Sequence, residues 1–436
     1  MVGSNDAPDP AGAVTEELGL SRAQTMVAAV GVPQQRLVTN AILAVQSGES
    51  DAVLVLGGEA KASSLTARRD GTDPPVAPDG AGADQLLEPS GEFMAEAEVA
   101  ASLWDPVTQY ALIDSALARH EGHSPGQLLA EVSELWARFD AVAAGNPNAE
   151  FAGPPHTAAE LAQTTEQNRL LAFPYNKWHS TQWALDHGAA LLISAEAVAL
   201  SIGLEPDSLL HPQVALDSSW GLSLSRRAEP HRWPMMELMG RLAEDHLGRS
   251  MGDGGLMELY SCFPAAVRVQ QRALGLPLEG TPTVTGGMAF AGGPFNHFTY
   301  MATAELAGRL LAGEAELAAL TTVSGMLTKG GLMAWGREPH RAGVLLADVA
   351  ERAEAMTDAV TVAPWDPTRS GGTRSGGMGN ADADRVVAAT ITGGFNPTLF
   401  AITEDSNAIR HVVSEPAPEG EPAEILATLG YRADHG

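Results

Sequence analysis

Pro33-Gln-Gln-Arg-Leu-Val-Thr-Asn-Ala-Ile-Leu-Ala-Val-Gln-Ser-Gly-Glu-Ser-Asp-Ala-Val-Leu-Val-Leu-Gly-Gly58 reads as a helix feeding a strand. Leu37, Val38, Ala41, Ile42, Ala44 and Val45 recur at helical spacing between Arg36 and Gln46, and Ser47-Gly-Glu-Ser50 stops the helix. Ala52-Val-Leu-Val-Leu-Gly-Gly58 is then a continuous apolar run of strand length. A strand without polar alternation is expected to be buried on both faces. A helix leading into one is the pattern of a parallel sheet covered by helices.

The scheme recurs further along. Glycine leads into an apolar strand at His187-Gly-Ala-Ala-Leu-Leu-Ile-Ser194, and a strand near Val214 precedes a helix over Met235–Leu247. A strand at Leu256–Ser261 precedes a helix from Pro264 to Leu274. Pro282-Thr-Val-Thr-Gly-Gly287 precedes a helix over Phe298–Ala312, Leu317–Val323 is a further strand, and Gly331–Trp335 adds an edge. Between the two series the texture loosens, with Asp73-Pro-Pro, Ala81-Gly-Ala and Gly145-Asn-Pro-Asn interrupting helical pieces such as Phe93–Trp104 and Pro125–Ala144. The expectation is an internally duplicated α/β fold with an insertion. The expected units are 1–60 and 173–215 for the first half, 61–172 for the insertion, 216–338 for the second half and 339–436 for a small β-rich domain. Within the last unit, Thr368-Arg-Ser-Gly-Gly-Thr-Arg-Ser-Gly-Gly-Met-Gly379 reads as a flexible loop.

The chain has 436 residues, 44% of them hydrophobic, and a formal net charge of −28. Such a charge argues against a nucleic-acid partner. Lys61, Lys177 and Lys329 are the only lysines, so arginine carries most of the positive charge. No apolar run approaches the ~18 residues of a membrane span, and the first residues lack the features of a signal peptide. Cytoplasmic residence is the expectation, in keeping with one cysteine, Cys262, and hence no internal disulfide. His120, His123, His156, His179, His187 and His231 show no metal-ligand spacing, and no metal site is expected. Trp178 and Trp183 read as core or interface anchors.

Taken in order, several segments resemble the thiolase superfamily, in particular the sterol-carrier-protein-type thiolase-like proteins known as acetyl-CoA acetyltransferases. Besides the opening stretch they are Pro174-Tyr-Asn-Lys-Trp-His179, Asp186-His-Gly-Ala-Ala-Leu191, Glu258-Leu-Tyr-Ser-Cys-Phe-Pro264, Val284-Thr-Gly-Gly287, Gly292-Gly-Pro-Phe-Asn296 and Leu327-Thr-Lys329. The resemblance covers most of residues 12–337. It implies a thiolase-like duplicated α-β-α-β-α core, an inserted loop domain that binds coenzyme A, and a small C-terminal β-containing domain. It also implies an acyltransferase of lipid metabolism that takes an acyl-CoA thioester as substrate or ligand, needs no other cofactor, and forms a homodimer or joins a partner subunit. Relative to the family, an N-terminal strand–helix segment is expected to be missing, with a misplaced start codon as the simplest explanation.

Thiolase chemistry uses a nucleophilic cysteine, a second cysteine for the α-proton and oxyanion holes on neighbouring loops. Carried over by position, the nucleophile falls on Gly31, the loop histidine on Gly293 and the second cysteine on Val323. The conventional mechanism is therefore not expected. The groups left in the catalytic loops are Tyr260, Ser261, Cys262, Asn296, His297 and Ser324. Of these, Tyr260, Cys262 and His297 are the catalytic candidates, while Arg68, Arg69, Ser324 and Lys329 are candidates for holding the coenzyme. Three readings stay open: acyl-CoA handling with altered chemistry, a retro-aldolase on a CoA ester using Tyr260, and a non-catalytic CoA-binding or scaffolding subunit.

Overall fold

The computed structural model describes residues 9–74, 82–91, 93–151, 153–363 and 385–429. The flexible-loop expectation for Thr368–Gly379 lies outside them. Helix α1 (Gln35–Gln46) buries Val38 and Ile42 on its apolar stripe, each worth about 2 kcal/mol of transfer free energy. Gly48, at φ +73°, turns the chain toward strand β1 (Ala52–Ala60). The insertion then supplies α2 (Lys61–Asp70), α3 (Pro106–Glu121) and α4 (Pro125–Gly145) before β2 (Asp186–Ser194) returns to the first half. Strands β1 and β2 pair antiparallel from Ala52↔Ser194 to Ala60↔Asp186. The expectation of a parallel strand buried on both faces is not met. Val55 is buried on the inner face, but Leu54 and Leu192 are 39% and 62% exposed on the other.

The expected second half, 216–338, is joined by strands from outside it, and the series runs β3 (His211–Ser218), α5 (Pro234–Leu247), β4 (Leu256–Glu258), α6 (Pro264–Ala273), α7 (Phe298–Leu311), β5 (Leu317–Ser324), β6 (Lys329–Gly336) and β7 (Leu345–Asp348). Its sheet has the order β7-β3-β6-β5-β4. Strand β6 is antiparallel to β3 and β5, whereas β7 and β4 join parallel to β3 and β5. Gly331–Trp335 is thus central rather than an edge, because a tight turn after Ser324 folds β6 back between two earlier strands. Helices α1 and α7 lie between this sheet and the β1–β2 pair, with α5 packed on its other face. Arg36 on α1 and Asp217 on β3 tie the halves together across this layer, Nε to Oδ2, at 3.0 Å.

The insertion is less loose than its composition suggests. Every residue of α3 from Val107 to Ala118 is buried, because the C-terminal sheet covers the face the core leaves open. That sheet comprises β8 (Val362–Ala363), β9 (Arg385–Ile391), β10 (Thr398–Glu404) and β11 (Arg410–Pro416) in the order β8-β11-β10-β9. The Ala389 amide donates to Ser115 Oγ on α3 at 3.0 Å, and the buried Arg410 guanidinium donates to the carbonyls of Arg227 and Ala228. No helix of the described residues is long and apolar enough to cross a membrane.

Candidate functional site at the junction of the halves

Gly31 enters the loop before α1 at φ +100°, and a Cβ there would lie 3.0 Å from Pro89 Cβ. The left-handed backbone and this contact both disfavour a side chain. Its carbonyl faces the second half. Ser324 Oγ donates to it at 3.0 Å and Lys329 Nζ at 3.2 Å. Ser324 and Lys329 are paired residues at the ends of β5 and β6, so the turn between them presents both side chains to one point. Within that turn Leu327 is buried at φ +56°, an uncommon conformation for a non-glycine residue. Burial lowers the pKa of Lys329.

Between β4 and α6, the chain passes through Tyr260 and Cys262. The Tyr260 amide donates to Thr321 Oγ1 and its carbonyl accepts from Gln270 Nε2, each at 2.9 Å, which fixes the loop at both ends. Tyr110, on the insertion helix α3, stacks on Phe263 at 4.8 Å, donates its hydroxyl to the Gly325 carbonyl at 2.9 Å and hydrogen-bonds the Cys262 thiol. One phenol therefore links the cysteine loop to the turn that carries Ser324 and Lys329. Burial pushes the Cys262 thiol up to about 12, and burial with the neighbouring thiol raises Tyr260 well above the usual phenol range. Neither is an anion at neutral pH. Both shifts favour the protonated thiol and phenol in the unliganded chain.

His297 caps α7 and is fully buried; its Nε2 lies 2.8 Å from His187 Nδ1 on β2. Burial and the neighbouring His187 lower its pKa to about 3, and burial lowers that of His187. The expected histidine position, Gly293, is filled by its surroundings. A Cβ there would lie 2.2 Å from Thr181 Cγ2 and 3.1 Å from Met288 Cβ. Thr181 is itself held by its amide and hydroxyl, which both donate to the Cys262 carbonyl.

Beneath these loops Glu258, 1% exposed, accepts from the amides of Val284 and Thr285 and from the hydroxyls of Thr283 and Thr285. Burial raises it to about 7 against the lowering by these donors. It fixes the start of the Gly286-Gly287 turn. A charged residue inside the apolar run Leu256-Met-Glu-Leu-Tyr260 was its signal in the sequence. Tyr110 and Thr181 had none, since each acts across a long stretch of chain.

Of the seven candidate residues, Tyr260, Cys262, Ser324 and Lys329 are brought into one region and His297 is engaged with His187. Arg68 and Arg69 sit at the exposed end of α2, where Arg69 pairs with Asp70. Glu121, His123 and Glu131 place possible metal-ligand atoms within 4.8 Å of one another. Arg272 and Arg268 already pair with these carboxylates, and such cations oppose a divalent metal.

The layered helices and sheets and the placement of these loops make a mixed α/β fold that is thiolase-like. Among solved structures the chain is similar to a monomeric SCP2-thiolase-like protein type 1 (STLP1) from Mycobacterium smegmatis, with a TM-score of 0.69 and 22% identity over 87% of this chain and 74% of that one. It also aligns with a chain described as the Ltp2-ChsH2(DUF35) aldolase, with a TM-score of 0.49 and 19% identity over 70% of this chain and 78% of that one. No protein-family model and no curated protein sequence matches the chain.

Proposed function

We propose that the protein handles an acyl-CoA thioester at the junction of its halves and forms no acyl-cysteine intermediate. The thiolase-like fold supports the ligand class. The observation that carries the rest is the closure of two of the three altered positions, Gly31 by its backbone and Pro89, and Gly293 by Thr181 and Met288. A vestigial thiolase site would leave room where its side chains had been; here neighbours occupy that room. The exposed Leu54 and Leu192 face supports a covering chain, which size-exclusion chromatography with light scattering would detect as a dimer.

The test uses acetyl-CoA and acetoacetyl-CoA with the purified chain, read by calorimetry, thiol release and intact mass. Saturable binding with no thiol release and no acyl adduct is expected. Absence of binding, or an acyl group on Cys262 or Ser261, would overturn the reading.

A further inference from the structure

Lys329 is one of three lysines in a chain with a net charge of −28, yet it makes no ion pair among the described residues. It is 2% exposed, and the hydrogen bond it makes is to the Gly31 carbonyl. The buried arginines behave differently. Arg268 pairs with Asp114 and Glu131, and Arg410 with Glu404 and two carbonyls. A guanidinium stays charged and suits such forked partners, whereas a buried ammonium without an anion readily becomes a neutral amine. A neutral primary amine is a nucleophile toward ketones and aldehydes.

We propose that Lys329 is an amine nucleophile that captures the keto group of a 3-oxoacyl thioester as an imine. The ligand class rests on the acyl-CoA reading above. The amine adds to the carbonyl carbon to give a carbinolamine. The carbonyl oxygen then leaves as water with the two amine hydrogens, and a C=N bond remains. Hydrolysis reverses the step, and no oxidant or reductant is consumed. Ser324 Oγ, sharing the Gly31 acceptor with Nζ, is placed to relay a proton to the departing oxygen. The bound imine withdraws electrons from the carbon between the two carbonyl groups. That is the activation the missing thiol and histidine would otherwise assist.

The experiment treats the full chain with sodium borohydride in the presence of acetoacetyl-CoA or, separately, of CoA-free acetoacetate, and maps adducts by peptide mass spectrometry. Only Lys61, Lys177, Lys329 and the N-terminal amine can react, so the assignment needs no variant. A reduced adduct confined to Lys329 with both probes is expected, formed with a pH midpoint below the ordinary lysine range and abolished in Lys329→Arg protein whose circular dichroism is unchanged. Adducts only on Lys61, Lys177 or the terminus, or none at all, would overturn the proposal. Trapping of Lys329 by acetoacetate without calorimetric binding of acetoacetyl-CoA would sustain the amine and sink the CoA reading. CoA-ester binding without trapping would do the reverse.

Discussion

Thr181 Cγ2 occupies the space of a side chain at Gly293: a Cβ built on that glycine lies 2.2 Å away. Gly293→His should therefore destabilise the protein by about 1–3 kcal/mol through overpacking, without producing thiolytic activity. Thr181→Ala removes the blocking methyl. In the double variant it should recover a substantial part of that loss, a coupling measurable by a denaturation cycle. Strict additivity of the two changes would refute the steric account.

Gly31→Cys places a thiol where the family resemblance expects one, on a backbone at φ +100° and against Pro89. The expected cost is about 1–3 kcal/mol for a non-glycine residue held in that region. Incubation with acetyl-CoA should leave the variant's mass unchanged. Acetylation of the introduced thiol would show that the loop adapts and that the thiol alone was lacking.

How the sequence anticipated this arrangement depends on the range of each interaction. The helix 35–46 and most strands of the five-stranded sheet are local patterns, and they were legible; Leu345–Asp348, which joins that sheet from beyond residue 338, was not. The loop motifs around Tyr260, Gly287 and Ser324 were placed through family resemblance, and the fold brings Tyr260 and Ser324 into one region. What escaped was long-range. Tyr110 reaches Gly325 from an insertion that read as irregular, and Thr181 fills the site of a residue more than a hundred positions away. The reading of β1 as doubly buried failed for a related reason: apolar composition records what a strand tolerates, not which element covers it.

Asp114 is the anion of a buried network in which Arg268 and Tyr175 both donate to it, and the Tyr175 hydroxyl in turn accepts from the Ala265 amide at 3.1 Å. This network joins α3 to the N-terminus of α6, just beyond the cysteine loop. Asp114→Ala removes the buried acceptor of Arg268 and of the Tyr175 hydroxyl while Glu131 still pairs with the guanidinium, and a loss of about 1–3 kcal/mol is expected by urea denaturation. Arg268→Met should cost less in combination with Asp114→Ala than the sum of the two single changes, because the pair is then removed together.

Acid should destabilise the fold through its buried histidines, with two buried carboxyls acting against them. His179 is fully buried and its Nδ1 accepts from the Asn176 amide at 3.2 Å, leaving Nε2 to donate to Ser133 Oγ at 3.1 Å. Burial lowers it to about 3; burial and His187 bring His297 to about 3, and burial, chiefly, with His120 brings His231 to about 4. For a base whose folded pKa lies below its unfolded value of about 6.5, stability is fully present above that value and is lost as pH falls toward the folded pKa. Carboxyls raised by burial act in the opposite sense. Glu258 at about 7 and Asp217 at about 6 contribute stability below their unfolded values, and that contribution is lost as pH rises through 6–7. The three histidines outweigh the two carboxyls, so the midpoint of thermal unfolding should fall as pH drops below about 6. His179→Gln should flatten the acid limb, because an amide matches the acceptor and donor of the neutral ring without titrating. An acid limb unchanged in this variant would show that His179 titrates normally and that its burial is relieved in solution.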